Sequence, residues 1–275
     1  MINQQIQAAK AVTFRDQHYG GKLLVLPNIW DFLGARLIEK IGFPSVATAS
    51  VSTALSNGYR DGEHIPFSQL LKTVNKIAQA VDLPVTVDIE RGFADSIPHL
   101  KENIHLLIEN GAVGINIEDS LPTRDGLYTI EDQCKKIEAI RETGLQYGVP
   151  LVINARTDVF VLKMDDALNH AIERGVSFRS AGADCIYPIL MNDYADISRF
   201  LEKVDSPVNV LLQKPVSDLR RLEKAGVARL SLGPNFLNHA LTAMKNVADG
   251  LMHYDSSVFF DHELLPREYL DQLVY

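Results

Sequence analysis

Apolar residues in this chain gather into short unbroken runs, separated by longer stretches in which they recur every three or four positions. The runs lie at 23–26, 45–49, 113–117, 149–155, 185–189, 208–212 and 230–232, with one more that begins at Pro84 and stops at Asp88 and Glu90. Runs of this length without polar alternation predict strands covered on both faces. The intervening stretches predict amphipathic helices. Leu33, Leu37, Ile38 and Ile41 share a face between a capping Asp31 and a terminating Gly42; Leu70, Leu71, Val74, Ile77, Ala78 and Val81 mark a second helix, and Leu100, Ile104, Leu107 and Ile108 a third, stopped by Gly111. Thr129 with Asp132 forms a capping-box start for a fourth. Eight covered strands alternating with such helices predict an α/β fold, a (β/α)8 TIM-type barrel, in preference to an open six-stranded sheet with a small second domain.

No linker interrupts residues 20–250, so residues 1–275 are read as a single barrel domain. It has a polar, helical leader at 1–19, whose Ile6, Ala9, Val12 and Phe14 form a weak apolar stripe, and a helical extension at about 251–275. With 46% hydrophobic residues the chain can bury a large core. Its 27 basic and 35 acidic residues leave a diffuse net charge of −8, which argues against nucleic-acid or anionic-membrane partners. Cys134 and Cys185 show no pairing or metal-ligand spacing, and no segment reads as a signal peptide or a membrane span. A cytoplasmic protein is expected.

In a barrel of this kind reactive groups gather where strands end. The strand ends supply Asn28, Trp30 and Asp31, then Ser50, Ser52 and Asp61, then Asp88 and Glu90, then Glu118 and Asp119, then Arg156 and Asp158. Asp88 and Glu90 stand two apart on a strand, so they point the same way and repel unless a cation or a proton lies between them. Acids from three consecutive strands suit a hard, oxygen-seeking ion such as Mg²⁺. Several candidates also have a purely structural reading. Asp31 and Asp158 can cap helices, Arg156 can neutralise the acids as an ion pair, and the cysteines can be packing residues.

The order of these pieces resembles the isocitrate lyase and phosphoenolpyruvate mutase superfamily. The resemblance rests on Pro27-Asn-Ile-Trp-Asp-Phe-Leu-Gly-Ala-Arg, Asn57-Gly-Tyr-Arg-Asp61, Asp88-Ile-Glu-Arg-Gly-Phe93, Gly114-Ile-Asn-Ile-Glu-Asp119, Asn154-Ala-Arg-Thr-Asp158 and Gly226-Val-Ala-Arg-Leu-Ser-Leu-Gly-Pro234, in collinear order across residues 22–240. It implies a barrel whose last helix is exchanged with a neighbouring subunit, in a homo-oligomer that is a dimer or, more usually, a tetramer. It implies Mg²⁺, with Mn²⁺ as a substitute, held directly or through water by Asp88, Glu90 and Glu118. Asp61 would stand beside the metal and Arg156 would bind substrate charge. The backbone near Ser50 and Val51 would hold a carboxylate, with Trp30, Asn116 and Asn154 as further substrate contacts. Residues 120–128 would form a lid.

The lid is where this chain departs from the pattern. Lyases of the superfamily carry Lys-Lys-Cys-Gly-His or a close variant there, the cysteine serving as proton donor, and phosphonate-handling members carry lysine and asparagine. Thr123, Arg124 and Asp125 occupy the loop here, which leaves Arg124 as its candidate catalytic side chain. The resemblance therefore implies chemistry through a pyruvate-type enolate on a small anionic 2-oxo acid. Cleavage or decarboxylation of a 2-oxo or 2-hydroxy dicarboxylate is the first expectation. Phosphonomutase or phosphonopyruvate hydrolase activity, to which Arg60-Asp61 points, is the second, and an inactive ligand-binding relative the third.

Overall fold

The computed structural model describes residues 3–260 and 263–274. In chain order the elements are α1 (Gln4–Tyr19), β1 (Leu24–Leu26), β2 (Asn28–Ile29), α2 (Phe32–Ile41), β3 (Val46–Thr48), α3 (Ser50–Ser56), α4 (Phe67–Ala80), β4 (Val85–Asp88), α5 (Ile97–Glu109), β5 (Gly114–Glu118), α6 (Ile130–Gln146), β6 (Val152–Thr157), α7 (Ala167–Ser180), β7 (Cys185–Pro188), α8 (Tyr194–Val204), β8 (Asn209–Leu211), α9 (Leu219–Ala225), β9 (Arg229–Ser231), α10 (Asn235–Met252) and α11 (Arg267–Asp271). All strand pairings are parallel, in the orders β2-β3-β4-β5-β6-β7 and β1-β9-β8.

The two sheets are one closed ring. β1 and β2 are halves of a single stave that changes partner at Pro27: β1 pairs with β9, and β2 pairs with β3. A proline has no N–H to give to a ladder, so the pairing breaks there. On the far side, a bridge between Ile186 and Val208 joins β7 to β8. Asn28 locks the seam, donating to Thr48 O at 2.7 Å and accepting from Leu232 N at 2.8 Å. The barrel expected from the apolar runs is therefore present, with each run on its strand.

Helix boundaries follow their local chemistry. Asp31 accepts from Gly34 N at 2.7 Å, and Gly42 closes α2 in the left-handed region. Thr129 accepts from Asp132 N at 3.1 Å, as the capping box requires.

The leader is more than a polar appendage, and its buried face shares only Phe14 with the expected stripe. Ile6 and Val12 are exposed, whereas α1 buries Gln7, Ala11, Phe14 and His18. Two of these are polar, which is why an apolar count passes over the face. Gln7 Nε2 satisfies the carbonyls of Ile108 and Ala112, both at 2.8 Å, and His18 Nδ1 meets Phe14 O at 2.8 Å. Burial, aided by the charge of Arg229, pushes His18 down to about 3, so it packs as a neutral ring. Phe14 sits over the start of β5, where a Cβ on Gly114 would lie 2.9 Å from Phe14 Cε1. Arg15 reaches Asp184, just before β7, at 3.0 Å. Helix α1 thus lies across the N-terminal ends of the strands and leaves the opposite end open.

The C-terminal part divides. α10 buries only Leu237, while Leu241 and Met244 stay exposed. The tail then returns to its own barrel: Leu273 is buried, and its carbonyl accepts from Arg36 Nε of α2 at 3.2 Å. Phe260, Leu264 and Leu265 remain exposed, and residues 261, 262 and 275 of the expected extension lie outside the described residues. Among the described residues no helix is long and apolar enough to cross a membrane.

If α1 seals the barrel as described, Phe14→Ala should destabilise the fold by about 3–5 kcal/mol. Denaturant unfolding measures this, and a loss of under about 1 kcal/mol would show the seal to be dispensable.

Candidate active site

The register places polar residues in layers at the open end. Asp88 pairs with Asn116, Asn116 with Asn154, and Glu118 with Arg156. In the lower layer a hydrogen-bonded chain runs across three strands: Asn154 Nδ2 donates to Asn116 Oδ1 at 2.7 Å, and Asn116 Nδ2 donates to Asp88 Oδ1 at 2.9 Å. The other oxygen of Asp88 accepts from Ser50 N at 2.9 Å, and Thr48 Oγ1 accepts its backbone N–H at 2.9 Å. Asp88 is thereby fixed at the edge of a cavity of about 110 Å³, which Asn116, Arg156, Ser50, Tyr187 and Arg229 also line.

The upper layer is a network of ion pairs. Arg156 holds Glu118 Oε2 at 2.9 Å through Nη1, and grips Asp158 with Nε and Nη2 at 2.6 and 2.9 Å. Glu118 Oε1 also accepts from Ser120 Oγ at 2.6 Å and meets Arg91 Nη1 at 3.5 Å. After β4 the chain turns sharply, with Glu90 at φ 49° and Phe93 at φ 53°. Glu63 staples this turn: its carboxylate accepts from Arg91 N at 3.0 Å, Phe93 N at 2.8 Å and Arg91 Nη2 at 2.9 Å, while its own N–H donates to Glu90 Oε1 at 2.8 Å. From the loop at 120–128, Arg124 pairs with Asp61 at 2.9 Å and approaches Glu90 Oε2 at 3.6 Å.

Acids outnumber the cations that serve them. Asp61, Glu63, Asp88, Glu90, Glu118 and Asp158 are balanced by Arg91, Arg124 and Arg156. Burial first, then the neighbouring Asp61, with Asp88 and Glu118 adding, pushes Glu90 up to about 8. Burial raises Glu118 too, against the pull of Arg156. Glu90 Oε2 and Asp61 Oδ1 are buried without a hydrogen-bond partner. An all-oxygen set with surplus charge and orphaned lone pairs suits a hard divalent cation. Among the described residues no three ligating side chains converge on one point, so such an ion would keep part of its water shell.

Most of the residues singled out from sequence come together here. Asp88, Asn116, Arg156, Ser50 and Val51 line the cavity, Glu90, Glu118, Asp61 and Arg124 form the rim network, and Asn154 acts through Asn116. Trp30 does not line the cavity, whereas Asn28 of the same stave does. Asp31 is a helix cap, while Asp158 is not a cap and clamps Arg156. Asp119 is fully buried on Arg174 at 3.0 Å. Cys134 lies on α6 and Cys185 inside β7, where burial pushes its thiol up to about 12. Glu63, Arg91, Tyr187 and Arg229 escaped a search confined to strand ends. The available signal was charge in an unexpected place: an arginine directly before an apolar run, and an acid two residues past Asp61.

With its parallel barrel, acids closing β4 and β5 and an arginine on β6, the chain falls in the superfamily of phosphoenolpyruvate mutases and isocitrate lyases, which includes lyases and mutases. The model of the phosphoenolpyruvate phosphomutase family matches residues 14–252, and the chain belongs to that family. A Burkholderia cenocepacia crystal structure, described as a candidate lyase/mutase, superposes with a TM-score of 0.90 at 31% identity, covering 98% of this chain and 97% of that one. The 2-methylisocitrate lyase of Bacillus subtilis is 26% identical over 76% of this chain and 69% of its own length. A phosphonopyruvate hydrolase crystallised with oxalate and Mg²⁺ shares the fold, with a TM-score of 0.84 at 20% identity over 96% of this chain and 94% of its own.

The raised Glu90 carboxyl has a linkage consequence. Its folded value of about 8 lies above the ordinary 4.5, so the folded state holds a proton that the unfolded chain has released. Stability conferred by that proton is complete at low pH and falls as pH rises toward 8, by at most about 1.4 kcal/mol per pH unit. Between pH 6.5 and 8, metal-free wild type should lose stability relative to Glu90→Gln. Parallel Tm-against-pH curves for the two proteins would show Glu90 to be ionised throughout.

Proposed function

We propose that this protein is a Mg²⁺-dependent lyase that cleaves a carbon–carbon bond in, or decarboxylates, a small 2-oxo or 2-hydroxy dicarboxylate through a pyruvate-type enolate. The observation that carries this reading is Asp88, a carboxylate fixed by Asn116 and Ser50 at the edge of a cavity that fits a molecule of a few heavy atoms. Asp88 would hold the ion directly, with Glu90 and Glu118 reaching it through water, and Mn²⁺ could replace Mg²⁺. When bound, the ion supplies Lewis-acid polarisation of the substrate's 2-oxo oxygen.

The chain's own residues do the rest. Glu118 and Asp158 grip Arg156 from two sides, so its guanidinium is oriented before a ligand arrives, and a pre-set charge favours the enolate without reorganisation. Arg124, paired with Asp61, draws the loop at 120–128 against the acidic rim, where the loop would restrict water over a bound substrate. Neither cysteine is in that loop. Loss of carbon dioxide from an oxaloacetate-like acid needs enolate stabilisation alone, and solvent can return the proton, so decarboxylation fits a loop without a thiol donor. Ser50 N is already given to Asp88, so the carboxylate of the substrate would rely on other donors of that turn, Val51 among them.

A second reading, phosphorus–carbon chemistry on phosphonopyruvate, is favoured by the description of the matched family and by Arg60-Asp61. We further propose a cytoplasmic homo-oligomer; the uncovered apolar side chains of α10 support the oligomer.

A screen of oxaloacetate, branched malates, 2-methylisocitrate and phosphonopyruvate, with and without Mg²⁺, tests these readings. Metal-dependent release of pyruvate without phosphate is the expected result, and phosphate release would establish the second reading instead. Asp88→Ala should lower kcat/KM at least about 10³-fold, roughly 4 kcal/mol of transition-state stabilisation. Unchanged turnover in that variant would move the site elsewhere.

A further inference from the structure

Arg229 opens β9 and is 2% exposed. It shares the inward side of the strand with Ser231, two residues on, and it lines the Asp88 cavity. Among the described residues its guanidinium meets one acceptor, Ser231 Oγ at a long 3.4 Å, and no carboxylate within salt-bridge distance. Its Nη1 is buried with no partner.

The other largely enclosed arginines are paired. Arg91 has Glu63 at 2.9 Å, Arg156 has Glu118 at 2.9 Å, Arg174 has Asp119 at 3.0 Å, and Arg141 has Asp184. Asp88 acts on Arg229 only through its field, its oxygens being taken by Ser50 N and Asn116 Nδ2. The remaining groups that feel the charge, Tyr187, Cys185 and His18, are neutral at pH 7. Leaving a buried guanidinium without a counter-ion costs several kcal/mol, and proteins seldom tolerate one. Burial also pulls this arginine below its ordinary value.

Arg156 and Arg229 therefore differ in availability. The first is saturated by two carboxylates, while the second is free and faces the cavity. Around the ring β9 stands opposite β5, so Arg229 enters from the side facing Asn116.

We infer that Arg229 is the receptor for the second carboxylate of a dicarboxylate ligand whose other end lies at Asp88. This deepens the function proposed above and rests on it, since it presumes that the Asp88 cavity takes a 2-oxo acid. It makes Arg229 a specificity-determining residue, separating dicarboxylates from monocarboxylates of the pyruvate type.

Binding of 3,3-difluorooxaloacetate and of pyruvate, measured by calorimetry in Mg²⁺, tests this in wild type, Arg229→Met, Arg229→Lys and Asp88→Asn, alongside Tm without ligand. Arg229→Met should weaken the difluoro dicarboxylate at least tenfold and pyruvate less than threefold, with a ligand-free Tm equal to or above wild type, because an uncompensated charge has been removed. Arg229→Lys should recover part of the loss. Dicarboxylate binding within twofold of wild type, equal weakening of both ligands, or a variant that unfolds would overturn the inference, the last by showing that the charge is structural. Asp88→Asn should weaken both ligands. Binding that needs Asp88 but ignores Arg229 removes this inference alone, whereas a wild type that binds neither ligand removes the proposed site with it.

Discussion

The open end of this barrel is governed by mutual repulsion among carboxylates that the fold holds within a few ångströms of one another. Three arginines pair with acids of this cluster, and the crowding has visible effects. Glu90 retains its proton near neutrality, and Arg156 is held from two sides. The backbone around this network is strained: Glu63, Glu90 and Arg124 all adopt positive φ, at 64°, 49° and 58°, where side chains with a Cβ are disfavoured by about 1–2 kcal/mol each. Each of these residues makes an ion pair or a charge-assisted hydrogen bond in the network, which offsets that strain.

Beneath the charged rim the polar contacts are of another kind. The amides of Asn154 and Asn116 pass orientation from β6 through β5 to Asp88, and neither carries charge. Neutral amide bonds of this kind are little affected by salt, so they orient Asp88 from below whatever the charges of the rim do. The layering separates a fixed anchor from an adjustable rim.

The barrel was legible in the sequence because parallel strands covered on both faces leave continuous apolar runs, and every run fell on a strand. The acids at 88, 90 and 118 and the arginine at 156 were legible because strand ends mark the mouth. The polar part of α1's buried face was not legible because Gln7 and His18 are buried through hydrogen bonds to backbone carbonyls, which no hydrophobic count can register. Glu63 was missed because its role lies in stapling a turn nearly thirty residues away, and Arg229 because it occupies the first position of its strand. Trp30 stands just past the two-residue β2 and does not line the cavity, whereas Asn28 on that strand does.

Gly62 has φ +110°, and a Cβ built on it would lie 2.8 Å from Arg124 Nη2. The guanidinium that docks the loop therefore rests on bare backbone, in space that any other residue would fill. A side chain at 62 would push that guanidinium aside, and its φ of +110° disfavours any residue but glycine. The loop would then have to find its seat on the rim with its hold on Asp61 displaced.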